Sequence, residues 1–303
     1  HIENLLYLSN IEVIKKKYYF LLPFYIPIIS TLFNKIIVNL PFFRKLSLLQ
    51  VLVTRQDASP IDPSAVSCSV VVPCRNEREN IEKAVLRIPK MGKQTEIIFV
   101  EGHSNDGTLA ECKRMKEKYR DKLIKVFVQN GEGKADAVRK GFEHASSDVL
   151  MILDSDLTMP PEDLPKFFEA IVCGKGEFIN GSRLVYKMEK KAMRFLNVLA
   201  NKFFSGVFTF LLEQYIRDTL CGTKVLWRRD YNKITKGRKY FGDFDPFGDF
   251  DLLFGAAKLN LKIIEIPIRY REREYGVTQI SRFRHGWLLL RMTIFAMNKI
   301  KFI

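Results

Sequence analysis

From residue 66 onward the apolar positions switch repeatedly between two periods. Val66–Val72 is rich in β-branched residues and is ended by Pro73, the pattern of a strand covered on both faces. Residues 78–88 take helical spacing, with Ile81, Ala84, Val85 and Ile88 on one face. The alternation continues with a strand at Glu96–Val100, a helix capped by Thr108 and running to about Arg120, and a strand at Leu123–Val128. A helix over 134–145 turns Ala137, Val138, Gly141 and Phe142 inward, and Val149–Leu153 is a fourth strand. This pattern predicts an α/β fold with a doubly wound, mostly parallel sheet flanked by helices. After residue 162 it loosens. A helix at about 162–173, a strand at Glu177–Asn180 and a long helix or broken pair over 189–214 are followed by strand-like Cys221–Trp227, a helix at Asp249–Leu259 and a strand at Lys262–Tyr270. No internal repeat is visible.

The flanks set a domain layout. Residues 57–65 are rich in turn formers and read as a linker between an N-terminal extension, 1–56, and an α/β domain over 66–282. Residues 283–303 read as a C-terminal amphipathic helix, suited either to a membrane surface or to docking on the domain. No window supplies the roughly 18–20 uncharged apolar residues of a membrane span. Pro23 and Pro27 interrupt residues 18–33, and Arg291, Lys299 and Lys301 interrupt 287–303. The chain starts at His1 rather than Met, which suggests a piece of a longer product.

Charge refines this picture. The net charge of +15 divides into +5 over residues 1–56, −3 over 57–182 and +13 over 183–303. Basic flanks favour a phosphorylated partner or an anionic surface, and the mildly acidic middle suits a cation. With 47% apolar residues the chain has ample core, which excludes a disordered protein. None of the five cysteines has the close spacing of a zinc or redox site, and Cys68 and Cys173 read as small core side chains. That usage suits a reducing, cytoplasmic setting.

The candidate chemistry gathers at strand ends. The strand over 149–153 runs into Asp154-Ser155-Asp156, where α/β sheets bind ligands. Two carboxylates at this spacing suit Mg²⁺ or Mn²⁺, with bound phosphates completing the shell; the other reading is an acidic turn capping a helix. Pro73-Cys-Arg-Asn-Glu77 follows the first strand, so Asn76 and Glu77 either meet a ribose or base or cap the next helix. Glu101, after the second strand, is placed to accept from a base N–H. His103 is isolated, and Asp106-Gly-Thr108 is a turn and cap. Gly131-Glu-Gly-Lys134 opens a helix whose first N–H groups, with Lys134, suit a phosphate. Its spacing departs from a Walker loop, and no Gly-x-Gly-x-x-Gly follows a strand.

Taken in order, Val70-Val-Val-Pro-Cys-Arg-Asn-Glu, Ser-x-Asp-Gly-Thr, Gly-Lys-Ala-x-Ala-Val-Arg, Leu-Asp-Ser-Asp-Leu, Asn180-Gly-Ser-Arg183 and Cys221-Gly-Thr-Lys resemble family 2 glycosyltransferases. The resemblance spans roughly residues 66–275 and points to the branch of dolichyl-phosphate mannosyltransferases and polyprenyl-phosphate sugar transferases. It implies a GT-A fold, a nucleotide-sugar donor and a divalent metal on Asp154 and Asp156. It further implies that Pro73, Asn76, Glu77, Glu101 and Lys134 hold the donor, and that Arg183 meets a phosphate. Asp249 and Asp251 would face the acceptor, one of them as general base, with Asp218 a further candidate. Arg271, Arg273 and the segment 276–284 would close over phosphates. The sequence departs from the family pattern in Glu101-Gly-His-Ser for Asp-Asp-Gly-Ser, in Thr158 where Gln is common, and in Thr278-Gln279 for Ser-Lys. Residues 1–56 are similar to the tail of a class I methyltransferase, implying either a remnant of a fused upstream domain or an amphipathic extension packed on the transferase.

The resulting expectation is a metal-dependent, inverting transfer of a sugar to a polyprenyl phosphate or glycan, by a protein peripheral to the inner face of a membrane. Asp156 is expected to be indispensable. Two other readings use the same residues. The metal pair would also serve nucleotidyl transfer or phosphoryl hydrolysis. The basic and aromatic residues over 269–287 would suit a non-catalytic nucleic-acid module, but they lack a recognised nucleic-acid fold, so no nucleic-acid partner is expected.

Overall fold

The computed structural model describes residues 2–183, 195–238, 250–271, 273, 275 and 282–301. The chain opens with α1 (Ile2–Leu8) and β1 (Ile11–Tyr19), passes through the single turn α2 (Ile29–Thr31), and returns as β2 (Leu49–Gln56). β1 and β2 form an antiparallel ribbon with an irregularity between Val13 and Lys15. Beyond it run β3 (Ser67–Cys74), α3 (Arg78–Arg87), β4 (Gln94–Glu101), α4 (Thr108–Lys118), β5 (Leu123–Val128), α5 (Gly133–His144) and β6 (Val149–Ile152). Then follow α6 (Leu164–Val172), β7 (Phe178–Ser182), α7 (Phe195–Leu212), β8 (Lys224–Trp227), α8 (Arg228–Gly237), α9 (Phe250–Lys258), β9 (Ile263–Pro267) and α10 (Arg282–Ala296).

β3 to β9 make one seven-stranded sheet in the order β5-β4-β3-β6-β8-β7-β9. β8 runs antiparallel to β6 and β7; every other pairing is parallel. The two-residue period of a strand explains how one sheet feeds two cores. Val70, Val72, Phe99 and Met151 point to the face covered by α3, α4 and α6. Their neighbours Val71, Ile98, Val100, Leu150 and Ile152 point to the face covered by α5, α7, α8, α9 and α10. Burial on both faces is why these strands read as continuous apolar runs. Each fully buried Phe, such as Phe99, Phe142, Phe167 and Phe178, contributes about 1.5–3 kcal/mol by leaving water.

Two expectations need correcting. Thr108 is the first residue of α4 rather than its cap; Gly107, at φ 86°, takes that place. Asp106 supplies the acceptor instead, receiving Thr108 N–H at 3.0 Å and Arg78 N–H at 3.2 Å, so it ties together the starts of α3 and α4. Cys173 is exposed, because α6 ends at Val172 and the chain turns outward. The extension packs on the α/β unit, in line with the second of the two alternatives for it. Lys15 donates to the Ala257 carbonyl at 2.8 Å, Lys262 pairs with Glu12 at 2.6 Å, and Arg55 donates to the Gly174 carbonyl at 2.7 Å. A methyltransferase remnant finds no support in this ribbon docked on the α/β unit. Among the described residues no helix is long and apolar enough to cross a membrane. In α10, Leu289, Met292 and Ala296 are buried against the core, while Trp287, Leu290 and Ile294 are exposed.

Candidate active site

β3 leads outward to β4 and β5 on one side, and β6 stands on its other side. The winding direction therefore changes between β3 and β6, and an open α/β sheet offers its binding crevice at the carboxyl ends of such strands. Asp154 emerges there. One residue past β6, Leu153 N–H still bonds to the Val71 carbonyl at 3.0 Å, so the chain is fixed before the carboxylates begin. Leu157 adopts φ 53°, and Asp156 Oδ1 receives Thr158 N–H at 3.1 Å and its hydroxyl at 2.9 Å. One oxygen of Asp156 thus closes the turn. The other lies 2.7 Å from Arg273 Nη2. The turn reading of this residue is met by one oxygen, and the other is left facing the cleft side.

A cleft of about 320 Å³ lies over these strand ends. It gathers Pro73, Cys74, Arg75 and Glu77 after β3, Gly102 after β4, Gln129 after β5, Gly133, Lys134 and Ala137 at the start of α5, Asp154–Asp156 after β6, and Arg273. Six residues singled out from the sequence therefore meet: Pro73, Glu77, Lys134, Asp154, Asp156 and Arg273. Lys134, in the first turn of α5, places Nζ 2.6 Å from Asp154 Oδ1. Burial pushes the Asp154 carboxyl up, but the Lys134 ammonium, with Lys224 and Arg183 behind it, outweighs burial and holds it below its ordinary value. Glu77 is nearly inaccessible. Burial raises its carboxyl, against the pull of Asn80 Nδ2 at 2.6 Å and Arg273 Nη1 at 3.1 Å.

This donor set suits a hard divalent cation. Mg²⁺ characteristically takes one or two carboxylates and completes its shell with phosphates and water. Asp154 and Asp156 provide two carboxylates, both already held by cationic groups, Lys134 and Arg273. Among the described residues no cluster of three or more His, Cys, Asp or Glu forms an all-protein cage. These two carboxylates fit a metal whose shell a phosphate ligand completes.

Other candidates lie outside the cleft lining. Asn76, at φ 55°, spends its polar groups on the loop after β4: its N–H bonds Ser104 Oγ at 2.9 Å and its Oδ1 receives Asn105 N–H at 2.9 Å. Glu101 is buried and receives Ser104 N–H at 2.5 Å, bracing the same loop. Arg183 and Asp218 form a two-pronged pair at 2.7 Å and 2.7 Å, with Asp218 fully buried and the guanidinium over the Tyr270 ring. Asp218 therefore anchors Arg183. Arg271 is exposed, its N–H held by the Thr158 carbonyl at 2.9 Å. Asp251, in α9, sits 3.2 Å from both Arg139 and Arg238. Asp249 and residues 276–281 lie outside the described residues.

The sequence reading passed over Gln129, and it quoted Arg75, Gly222 and Lys224 within motifs without giving any of them a role of its own. Gly222 faces the Lys134–Asp154 pair so closely that a Cβ would stand 2.1 Å from Asp154 Oδ2 and 2.5 Å from Lys134 Nζ. Lys224, fully buried on β8, donates to the Cys221 carbonyl and adds positive charge behind Asp154. Both belong to the Cys221-Gly-Thr-Lys stretch, where a Lys inside a short apolar strand was the available signal. Gln129, which donates to the Gly131 carbonyl at 2.9 Å, carried none.

Comparison with known proteins bears on this arrangement. The model of glycosyl transferase family 2 matches residues 69–237, more than half of the chain. The chain is 40% identical over 218 residues to a dolichol-phosphate mannosyltransferase of Pyrococcus furiosus, a match covering 70% of the chain and 59% of that protein. It is 27% identical over 237 residues to a polyprenol monophosphomannose synthase of Mycolicibacterium smegmatis, covering 75% and 87%. The chain thus spans about three fifths of the Pyrococcus relative. In fold it is similar to a mannosyltransferase from Pyrobaculum calidifontis solved with GDP-Man and Mn²⁺, with a TM-score of 0.51, 19% identity, and coverage of 76% of this chain and 62% of that one. Strand order, cleft position and the match over residues 69–237 agree on a GT-A architecture. The chain belongs to glycosyl transferase family 2.

Proposed function

We propose that the protein transfers a hexosyl group, by kinship a mannosyl group, from a nucleoside diphosphate sugar to a polyprenyl phosphate. The observation that carries this reading is the meeting of Lys134, Asp154, Asp156, Glu77 and Arg273 in one cleft at the switch point of the sheet. The names of the Pyrococcus and Mycolicibacterium relatives support the lipid-phosphate acceptor.

Asp154 and Asp156 would hold Mg²⁺ or Mn²⁺, which would neutralise charge on the departing diphosphate. Lys134 adds a fixed ammonium at a helix start, where backbone N–H groups also favour phosphate oxygens. Arg273 would swing from its carboxylate partners toward the same phosphates. Glu77 and Arg75 line the cleft on the β3 side and suit the nucleoside. An oxygen of the acceptor phosphate would attack the anomeric carbon as its bond to the diphosphate breaks, giving inversion and a free nucleoside diphosphate. A phosphate nucleophile is already ionised and needs no base. That agrees with Asp251, which does not line the cleft and is held by two arginines.

The test is turnover of nucleotide sugars with Mn²⁺ and a short-chain polyprenyl phosphate. Wild type should release nucleoside diphosphate and form the lipid-linked sugar, and Asp156→Ala should abolish both. Full activity in Asp156→Ala sinks the reading. Release of pyrophosphate or free phosphate would turn it toward nucleotidyl transfer or hydrolysis on the same residues.

A further inference from the structure

A second cavity, about 730 Å³, opens between the N-terminal ribbon, α7, α9 and the C-terminal end of the chain. Among the described residues six lysines line it, Lys15, Lys17, Lys35, Lys258, Lys299 and Lys301, against a single carboxylate, Glu213, which Lys301 holds. Tyr25 brings the edge of an apolar loop to this cavity. Residues 23–29, Pro-Phe-Tyr-Ile-Pro-Ile-Ile, are all exposed and carry no charge. Phe24 is 71% accessible, Tyr25 84% and Ile28 82%.

This loop is built, not slack. Asn34 Oδ1 receives the N–H groups of Leu21 and Leu22 at 2.8 and 3.0 Å, and its Nδ2 donates to the Leu22 carbonyl at 2.9 Å. Ser30 Oγ receives Ile26 N–H and donates to the Phe24 carbonyl, both at 2.7 Å. Ile28 is held at φ 66°, which a β-branched residue adopts only under strain. Hydrogen bonds that hold a strained loop so as to show water its isoleucines and phenylalanine work against the hydrophobic effect unless something apolar covers it.

We infer that the loop and the lysine cavity form one docking surface for an anionic phospholipid bilayer. The apolar tip would enter the boundary between headgroups and acyl chains, and the cavity would take the phosphate of a lipid headgroup. Charge complementarity selects this occupant: a basic cavity beside an exposed aromatic and aliphatic tip is the combination that anionic membrane surfaces attract. The apolar loop and the six lysines lie outside the stretch matched by the family, and the inference does not depend on what the cleft transfers.

The test is sedimentation of the whole chain with vesicles of phosphatidylglycerol and phosphatidylcholine, compared with phosphatidylcholine alone. Wild type should partition at least about tenfold better onto the anionic vesicles, with binding falling steeply as salt rises. Phe24→Ser/Ile28→Ser and Lys17→Gln/Lys35→Gln should each weaken binding by about tenfold or more. Neither pair touches the cleft, so thermal shift with Mn²⁺ and nucleoside diphosphate should be unchanged in both. Equal binding to neutral vesicles, salt-independent binding of wild type, or two folded variants that still bind would overturn the inference. So would a concentration-dependent dimer, formed without lipid and lost in Phe24→Ser/Ile28→Ser, which would assign the surface to a second copy of the chain. Loss of vesicle binding with nucleotide binding intact leaves the transferase reading standing.

Discussion

Arg273 reaches back across the sheet to Asp156: its Nη2 lies 2.7 Å from Asp156 Oδ2, and its Nη1 lies 3.1 Å from Glu77 Oε1. A guanidinium between two carboxylates competes with any cation that approaches them. Removing it should leave both acids uncompensated. Arg273→Gln is expected to tighten Mn²⁺ binding severalfold without nucleotide, and to lower turnover by about 100-fold through lost phosphate support. Titration calorimetry and steady-state rates check the two halves. Weaker Mn²⁺ binding in the variant would contradict the competition argument.

Gly222 sets a second prediction. A methyl group there would drive into Asp154 and Lys134 at 2.1 and 2.5 Å, so Gly222→Ala should force the pair apart. Displacements of this size near reacting groups cost about 100-fold in rate. The expected result is a loss of that order in kcat/KM with a nearly unchanged melting temperature, because Lys134 and Asp154 are both partly exposed and able to shift.

Asp218 makes a contrasting case. It is fully buried and both its oxygens are taken by Arg183. Breaking such a pair from one side leaves a buried charge and typically costs about 3–5 kcal/mol. Asp218→Ala should therefore appear first in chemical denaturation, as a large loss of stability. A stable variant with only a raised acceptor KM would instead return Asp218 to the acceptor site.

Glu96 gives a stability prediction with a defined pH window. Burial raises its carboxyl, but Lys125 at 2.5 Å, Ser69 at 2.5 Å and Ser146 hold it below the ordinary 4.5. A depressed folded-state value means the unfolded chain binds more protons on acidification. The stabilisation is complete above about pH 4.5 and is lost as pH falls through the folded value. Glu96→Gln should cost about 1–3 kcal/mol at neutral pH. The gap from wild type should close in acid, as denaturation curves across pH would reveal.

The hydrophobic periods alone located most elements, because a strand buried on both faces and a helix with one apolar stripe leave different spacings. Leu123–Val128 was placed at its observed ends, and Phe178–Ser182 and Phe250–Lys258 were placed within a few residues. The strand-end motifs likewise singled out Asp154, Asp156, Lys134 and Glu77, which the fold brings to one cleft, since the turn after a parallel strand is where polar residues must appear. The N-terminal ribbon was not legible: its strands pair with each other across the turns between Tyr19 and Leu49, a contact no local pattern encodes. Nor did spacing tell Arg273 from Arg271, two residues away, or reveal that Asp218 serves Arg183, that Asp251 is held by Arg139 and Arg238, or that Gly222 clears space for a salt bridge. Local sequence dictates which groups exist and which element carries them. Which of them share a cavity is decided by the packing of segments more than a hundred residues apart.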